Sequence, residues 1–173
     1  MAETNAGVPR APSETSSVLT YRTGVADANI AGDVHGGWIM KLCDDAAVIA
    51  ASRHSERRVV TLAVDGMLFR NPVRVGDVLT LRATVNAAWR SSMEVGVRVE
   101  AEDPRRRETT HTLTAYLTMI ALDDEGQPTA VAPLRPRSGE EERRWHEANL
   151  RRRIRLADPA DLHRRLHEDA EST

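Results

Sequence analysis

Residues Trp38 to Ala51 read WIMKLCDDAAVIAA, a stretch apolar on nearly every side of a helix that nevertheless carries two adjacent aspartates at its middle. A helix that is hydrophobic all round is ordinarily a buried one, so the stretch predicts a helix at the centre of the core. Burying a carboxylate without partners is costly, and such a group takes a partner or shifts its pKa. Asp44 and Asp45 therefore need a reason to be there. Just upstream runs the irregular segment VADANIAGDVHGG, in which Gly36 and Gly37 allow a tight turn where the helix begins. The helix is expected to run to about Arg53.

Outward from that helix the pattern changes to strands. SVLTYRTG precedes it as a short strand. After it, RVVTLAVDGMLF alternates, and the reading turns Val60, Leu62, Val64 and Leu68 to the core, with Thr61, Asp65 and Met67 on the other face. NPVRVGD is a connection with Pro72 and Gly76 as turn residues. VLTLRATVNAAW sets Leu79, Leu81, Ala83 and Val85 against Thr80, Arg82, Thr84 and Asn86. MEVGVRVEAE turns Met93, Val95, Val97 and Val99 inward and Glu94, Arg98 and Glu100 outward. THTLTAYLTMIAL opposes Leu113, Ala115, Leu117 and Met119 to Thr112, Thr114, Tyr116 and Thr118, and DDEGQP closes the series. Such alternation marks antiparallel strands with one apolar face. The expected fold is α+β: one curved antiparallel sheet wrapped around one central buried helix, the hotdog arrangement, with a C-terminal helical extension.

The chain has 173 residues and a formal net charge of −2, which gives no global argument for nucleic acid or an anionic membrane. Cys43 is the only cysteine, so no internal disulfide can form. No apolar run approaches the ~20 residues of a membrane-spanning helix, and a cytoplasmic location is expected. Residues 1–17 are poor in large apolar side chains and read as a disordered tail. Residues 18–135 form the domain, and 136–173 a helical tail. In that tail Ser138 and Glu141 make a capping box. Glu140 to Glu142 and Arg151 to Arg153 complement the helix dipole, and Asp158 with Pro159 starts a last short helix.

DANIAGDVHGGWIMKLCDDAA, followed by RVVTLAVDGMLFRNPVRVGDV and later RSSMEVGVRVEAE, resembles the hotdog acyl-CoA thioesterases over roughly residues 18 to 135. It is closest to the cytosolic acyl-CoA hydrolase branch, which the EEERRWHEANLRRR character of the tail also resembles. The resemblance implies hydrolysis of an acyl-CoA to coenzyme A and a carboxylic acid. It also implies that Asn29 and Asp44 are the catalytic pair, contributed across a dimer interface, and that the assembly is a trimer of dimers. No cofactor is implied, because coenzyme A is part of the substrate.

The residues themselves permit that chemistry. Thioester hydrolysis needs a water or nucleophile, a base, and donors for the oxyanion. Asp44 can be the base or can attack directly. Gly36 and Gly37 present unpaired backbone N–H groups at a helix start, where a thioester oxygen can sit. Asn29 can donate to the carbonyl or accept from a water, or can simply hold its loop. The substrate-binding set comprises His35, Gly36, Gly37, Arg57, Arg58, Thr61, Arg90, Ser91 and Ser92. The arginines and Ser91–Ser92 are candidates for coenzyme A phosphates, with exposed turn residues as the equal alternative. His35 reads as structural or substrate-lining, since the resembling proteins carry Phe there. Asp45 is assigned a structural ion pair or cap, and Cys43 a core position.

No metal-ligand spacing or phosphate-binding glycine loop occurs. The interleaved acidic residues make the Arg-rich tail a solvated helix surface rather than a nucleic-acid site. Two other readings stand beside thioester hydrolysis: a non-catalytic acyl-CoA sensor, and a hotdog hydratase or dehydratase, whose Asp/His pair the chain does not present.

Overall fold

The computed structural model describes residues 7–157. The short helix expected from Asp158 and Pro159 lies outside them. In chain order the elements are α1 (Pro12–Thr15), β1 (Ser17–Arg22), a 3₁₀ turn (Val25–Asp27), α2 (Gly36–Ser55), β2 (Arg58–Phe69), β3 (Val78–Ala88), β4 (Ser92–Asp103), β5 (Glu108–Leu122) and α3 (Gly139–Ala157). The strands form one antiparallel sheet in the order β1-β3-β4-β5-β2. Helix α2 lies across its inner face and touches every strand. This is the hotdog fold expected from the pattern.

The inner face follows the period-two reading for three strands. Leu79, Leu81, Ala83 and Val85 of β3, Met93, Val95, Val97 and Val99 of β4, and Leu113, Ala115, Leu117 and Met119 of β5 are all buried. They meet the α2 stripe Ile39, Leu42, Cys43, Ala46, Ala47, Ala50 and Ala51, which recurs at i, i+3, i+4 and i+7. Small alanines on that stripe let the helix sit close to the sheet. The helix is not enclosed on all sides, however. Met40 and Ile49 are exposed, because five strands in one chain cover only one side of it.

β2 departs from the expected facing. Val60, Leu62, Val64 and Leu68 are exposed, whereas Thr61 turns inward toward α2 and Met119. Bulges between Thr61 and Ala63 and between Val64 and Gly66 each add an unpaired residue and break the alternation. β2 is also an edge strand, so among the described residues its apolar side chains are covered by strand neighbours on one side only.

Residues 7–17 are no loose tail. Ala11, Pro12 and Thr15 are buried, and the backbone of Arg10 bonds to Pro133 O at 3.0 Å and to Arg135 N–H at 2.8 Å. The Arg10 guanidinium donates to Arg53 O at 2.8 Å and His54 O at 3.0 Å, and pairs with Glu56 at 2.6 Å. It thereby caps the last carbonyls of α2, the negative end of the helix dipole. Composition registers the scarcity of large apolar residues but not such polar anchoring.

Helix α3 lies on the outer face of the sheet. Ser138 caps its start as expected, its Oγ accepting from Glu141 N–H at 3.3 Å, but the Glu141 carboxylate reaches one residue beyond the N-cap, to Arg137 N–H at 2.7 Å. Its inward face is polar rather than solvated. Glu94, outward on β4 yet fully buried, accepts from Arg151 at 2.7 and 3.0 Å and from Asn86 Nδ2 at 3.1 Å. Arg151 also lies 3.7 Å over the Tyr116 ring.

Candidate active site

The loop before α2 is built to hold Asn29. Asn29 N–H donates to Asp33 O at 2.7 Å, and Gly32 N–H returns to Asn29 O at 3.1 Å. Gly32 takes φ +87°, a conformation that favours glycine. The Asn29 Oδ1 accepts from Ala31 N–H at 2.8 Å and Asp33 N–H at 3.3 Å. That oxygen is therefore committed to the loop, and the free end of the side chain is the Nδ2 donor. Of the options open to Asn29, the holding of its own loop is realised, and the Nδ2 is left able to donate to a carbonyl. Beneath the loop, buried Asp27 accepts from Tyr21 Oη at 3.0 Å and Gly24 N–H at 2.7 Å, and its carbonyl accepts from His35 N–H at 2.7 Å.

His35 is the N-cap of α2: its Nδ1 accepts from Gly37 N–H at 2.9 Å. The ring nitrogen a base would use is occupied, which fits the structural reading of His35. It also corrects the expectation that both glycine amides are free. Among the described residues, the Gly36 N–H alone of the two lacks a partner. Gly36 opens onto a cleft of about 320 Å³ shared with Asn29, Ile39, Phe69, Asn71 and Val73. A Cβ on Gly36 would stand 3.5 Å from the Phe69 ring, an ordinary van der Waals distance, so the end of β2 lies directly against the start of α2.

Asp44 sits eight residues further along α2, about 12 Å at the helical rise of ~1.5 Å per residue. It is half-buried, and its Oδ1 accepts from Thr61 Oγ1 at 2.5 Å. Thr61 Oγ1 also lies 3.5 Å from Met119 Sδ. The carboxylate thus has one oriented partner and one free oxygen. Asp45 pairs instead with Lys41 at 2.6 Å on the helix surface, an i,i+4 contact of small energetic worth. The ion pair expected for Asp45 is therefore intrahelical. Cys43 is fully buried, and desolvation, followed by the charge of Asp44, pushes its thiol up to about 12. Such a thiol stays protonated and inert.

Arg57, Arg58, Arg90, Ser91 and Ser92 gather at the other end of α2. Arg58 pairs in register with Leu122 and Ser92 with Ile120. Arg90 O accepts from Val131 N–H at 3.1 Å, and Ser91 O from Ala121 N–H at 3.0 Å. The three arginines are exposed and, among the described residues, form no salt bridge. Thr61 lies three residues along β2 from Arg58, roughly 10 Å.

The site residues thus fall into two groups within one chain. Asp44, Thr61 and the arginine end form one; Asn29 and Gly36 form the other, and Asp44 does not line their cleft. Sequence reasoning placed Thr61 in the binding set without seeing that it grips Asp44. It missed Phe69 and Asp27 altogether. A period-two reading across a bulge assigns Thr61 to the wrong face, so no periodic feature could have revealed the contact. Among the described residues, no three His, Cys, Asp or Glu side chains are grouped to hold a metal, and no helix is long and apolar enough to cross a membrane.

A family model described as the thioesterase superfamily matches residues 31–108. Protein VdlD of Helicobacter pylori is 36% identical over 141 residues, covering 82% of this chain and 80% of that protein. Among solved structures, an apo-hexameric acyl-CoA thioesterase superposes with a TM-score of 0.86 at 31% identity, covering 89% of this chain and 99% of that one. The acyl-CoA hydrolase of Staphylococcus aureus, solved with butyryl coenzyme A, coenzyme A and coenzyme A disulfide, gives a TM-score of 0.82 at 30% identity, covering 93% of this chain and 98% of that one. That enzyme has also been solved as variants in which one aspartate, one asparagine or one threonine is replaced by alanine.

Proposed function

The chain belongs to the hotdog-fold thioesterase superfamily, and on that premise we propose that it is an acyl-CoA thioester hydrolase whose sites are completed between two copies. One observation carries the reading: the two halves of the site lie at opposite ends of the exposed apolar edge strand. The Phe69 end of β2 abuts Gly36. Its other end holds Arg58 and Thr61, beside Asp44. Two copies that join β2 to β2 antiparallel about a two-fold axis set the Asn29–Gly36 end of one beside the Asp44–Thr61 end of the other. The same pairing covers Val60, Leu62, Val64, Leu68 and Phe69 and removes an open edge from each copy. The hexameric state of the similar thioesterase supports a trimer of such dimers.

In the completed site, the partner's Asn29 Nδ2 and Gly36 N–H polarise the thioester oxygen and stabilise the tetrahedral oxyanion. Thr61 holds one oxygen of Asp44, leaving the other for catalysis. Asp44 either takes a proton from the attacking water or attacks the acyl carbon itself and is then released by water. Either route breaks the C–S bond, expels coenzyme A as thiolate and yields a carboxylic acid. Arg57, Arg58 and Arg90 stand on the same side as Asp44, placed to meet the phosphates of the coenzyme. The aspartate, asparagine and threonine varied in the S. aureus enzyme are the residue types of this constellation.

The decisive experiment is thiol release from a panel of acyl-CoA chain lengths by the wild type and Asp44→Ala. The variant should lose roughly 10²-fold or more in turnover, the usual contribution of a positioned acid–base group, while still binding coenzyme A. Near-normal turnover by a well-folded variant would remove Asp44 from the mechanism. Single turnover in ¹⁸O-labelled water tests for direct attack, since the base route labels only the product acid and label in the Asp44 carboxylate requires the acyl-aspartyl anhydride.

A further inference from the structure

Asp65 is an unusual residue to find on an edge strand. Val64 pairs with Leu117 and Gly66 with Tyr116, so Asp65 is the extra residue of the second β2 bulge. Its side chain is nevertheless only 7% exposed. The bulge turns it onto the outer face, where its carboxylate accepts from Thr118 Oγ1 at 2.6 Å and pairs with Arg155 of α3. Arg155 also donates to Thr118 Oγ1 at 2.6 Å. A helix from the far end of the chain therefore reaches across β5 to grip the middle of the edge strand.

A buried charge at a sheet edge normally discourages pairing, and proteins use such charges to block edge-to-edge contacts. A bulge has a similar effect by twisting the strand away. β2 combines both features, yet it is the strand on which the shared site depends. Neutralisation of Asp65 by Arg155 resolves the conflict. Removing one partner of a buried ion pair leaves an uncompensated charge, which is far costlier than removing both.

We propose that Arg155 is a positioning residue for the shared active site: by neutralising Asp65 and holding Thr118, it fixes the β2 bulge in the form that pairs with the partner's β2. Arg155 touches no substrate. It acts through Asp65 and the strand to bring the partner's Asn29 to Asp44. This inference rests on the reading of a site completed between copies.

Dilution separates assembly from folding. Specific activity and sedimentation are measured over a wide range of protein concentration for the wild type, Arg155→Met, Arg155→Lys and the double variant Asp65→Asn/Arg155→Met. Loss of the single partner should raise the dissociation constant of the dimer roughly tenfold or more. The activity of Arg155→Met should then fall on dilution and return on concentration. Arg155→Lys, which keeps the charge, and the double variant, which removes both charges, should follow the wild type. An Arg155→Met enzyme that melts lower but keeps the wild-type dimer constant and a flat dilution curve would overturn the proposal, because Arg155 would then serve stability alone. If Arg155→Met does not fold, Arg155→Gln, which keeps donors for Thr118 and Asp65 but removes the charge, takes its place: a weakened dimer supports the charge argument, and a wild-type dimer constant overturns it. A fully active wild-type monomer would instead defeat the shared-site reading itself.

Discussion

His54 is wholly buried near the end of α2. Its Nε2 stands 2.9 Å from Ala132 O, and its Nδ1 has no partner among the described residues. Nε2 is therefore the protonated nitrogen, and a second proton on Nδ1 would find no acceptor. Desolvation is the main cause holding its pKa below the ordinary 6.5, and the nearby Arg10 charge adds to it. The sign follows directly: the unfolded chain takes up a proton near pH 6.5 that the native state refuses until lower pH, so acidification favours unfolding. The melting temperature should fall as pH is lowered from about 7.5 to about 5.5. A His54→Leu variant, even if less stable at neutral pH, should show a shallower fall over that window, and equal slopes would refute the assignment. Nothing in the sequence marks His54 in this way, since burial of one ring comes from the crossing of residues 128–135. Asp44 is the opposite case: two carboxylates in an apolar helix stand out as an anomaly in the bare run of residues. What the sequence could not convey is that a threonine on β2 orients one of them, while Lys41 takes the other.

At the scale of the element, the proposed assembly and the proposed chemistry both turn on β2. Leu62 is 60% exposed and occupies the first bulge, so it contributes little to the core of its own chain. Leu62→Asp should leave the circular dichroism and melting of the monomeric fold close to wild type. In the sedimentation velocity of the assembly, it should shift material toward the monomer and reduce activity with it. An unshifted sedimentation profile would place the seam elsewhere. On β4, Gly96 marks a close approach: a Cβ there would stand 2.5 Å from the Nδ2 of Asn86, which is buried and bonded to Glu94. Gly96→Ala should cost about 1–3 kcal/mol by overpacking and by breaking that bond. A urea titration measures it, and a cost near zero would mean that Asn86 moves freely. β3, β4 and β5 were legible because their apolar residues keep one face over long runs, with the irregularities at Asn86 and Thr112 falling toward the strand ends. β2 was not, because two bulges reset its register and because its apolar residues are exposed rather than turned to the core. The covering of Glu94 by α3 was equally hidden, since alternation reports which way a side chain points and not what lies over it.

For the whole molecule the shared site makes a prediction that no single-chain site can imitate. Asn29 and Asp44 belong to two separate groups within one chain, and the proposed antiparallel pairing of β2 would set the partner's Asn29 beside this chain's Asp44. Every site then takes one residue from each copy. Asn29→Ala homodimers lack the donor in both sites, and Asp44→Ala homodimers lack the carboxylate in both. In a mixed dimer, one site receives both substitutions and the other receives neither. Random pairing of two equal pools makes about half the dimers mixed, each with one intact site of two, so activity should recover to about one quarter of wild type. Subunits can be exchanged by unfolding and refolding the mixture, or by co-expression with two different tags that let the mixed dimers be purified. Purified mixed dimers should approach about half of the wild-type activity, because no inactive homodimers dilute them. A trimer of dimers leaves both fractions unchanged, provided that each site is contained within one dimer. Mixed dimers that form but show no recovery would separate the two residues: Asp44 would then act within its own subunit, and the pairing of β2 would serve only to cover the exposed edge.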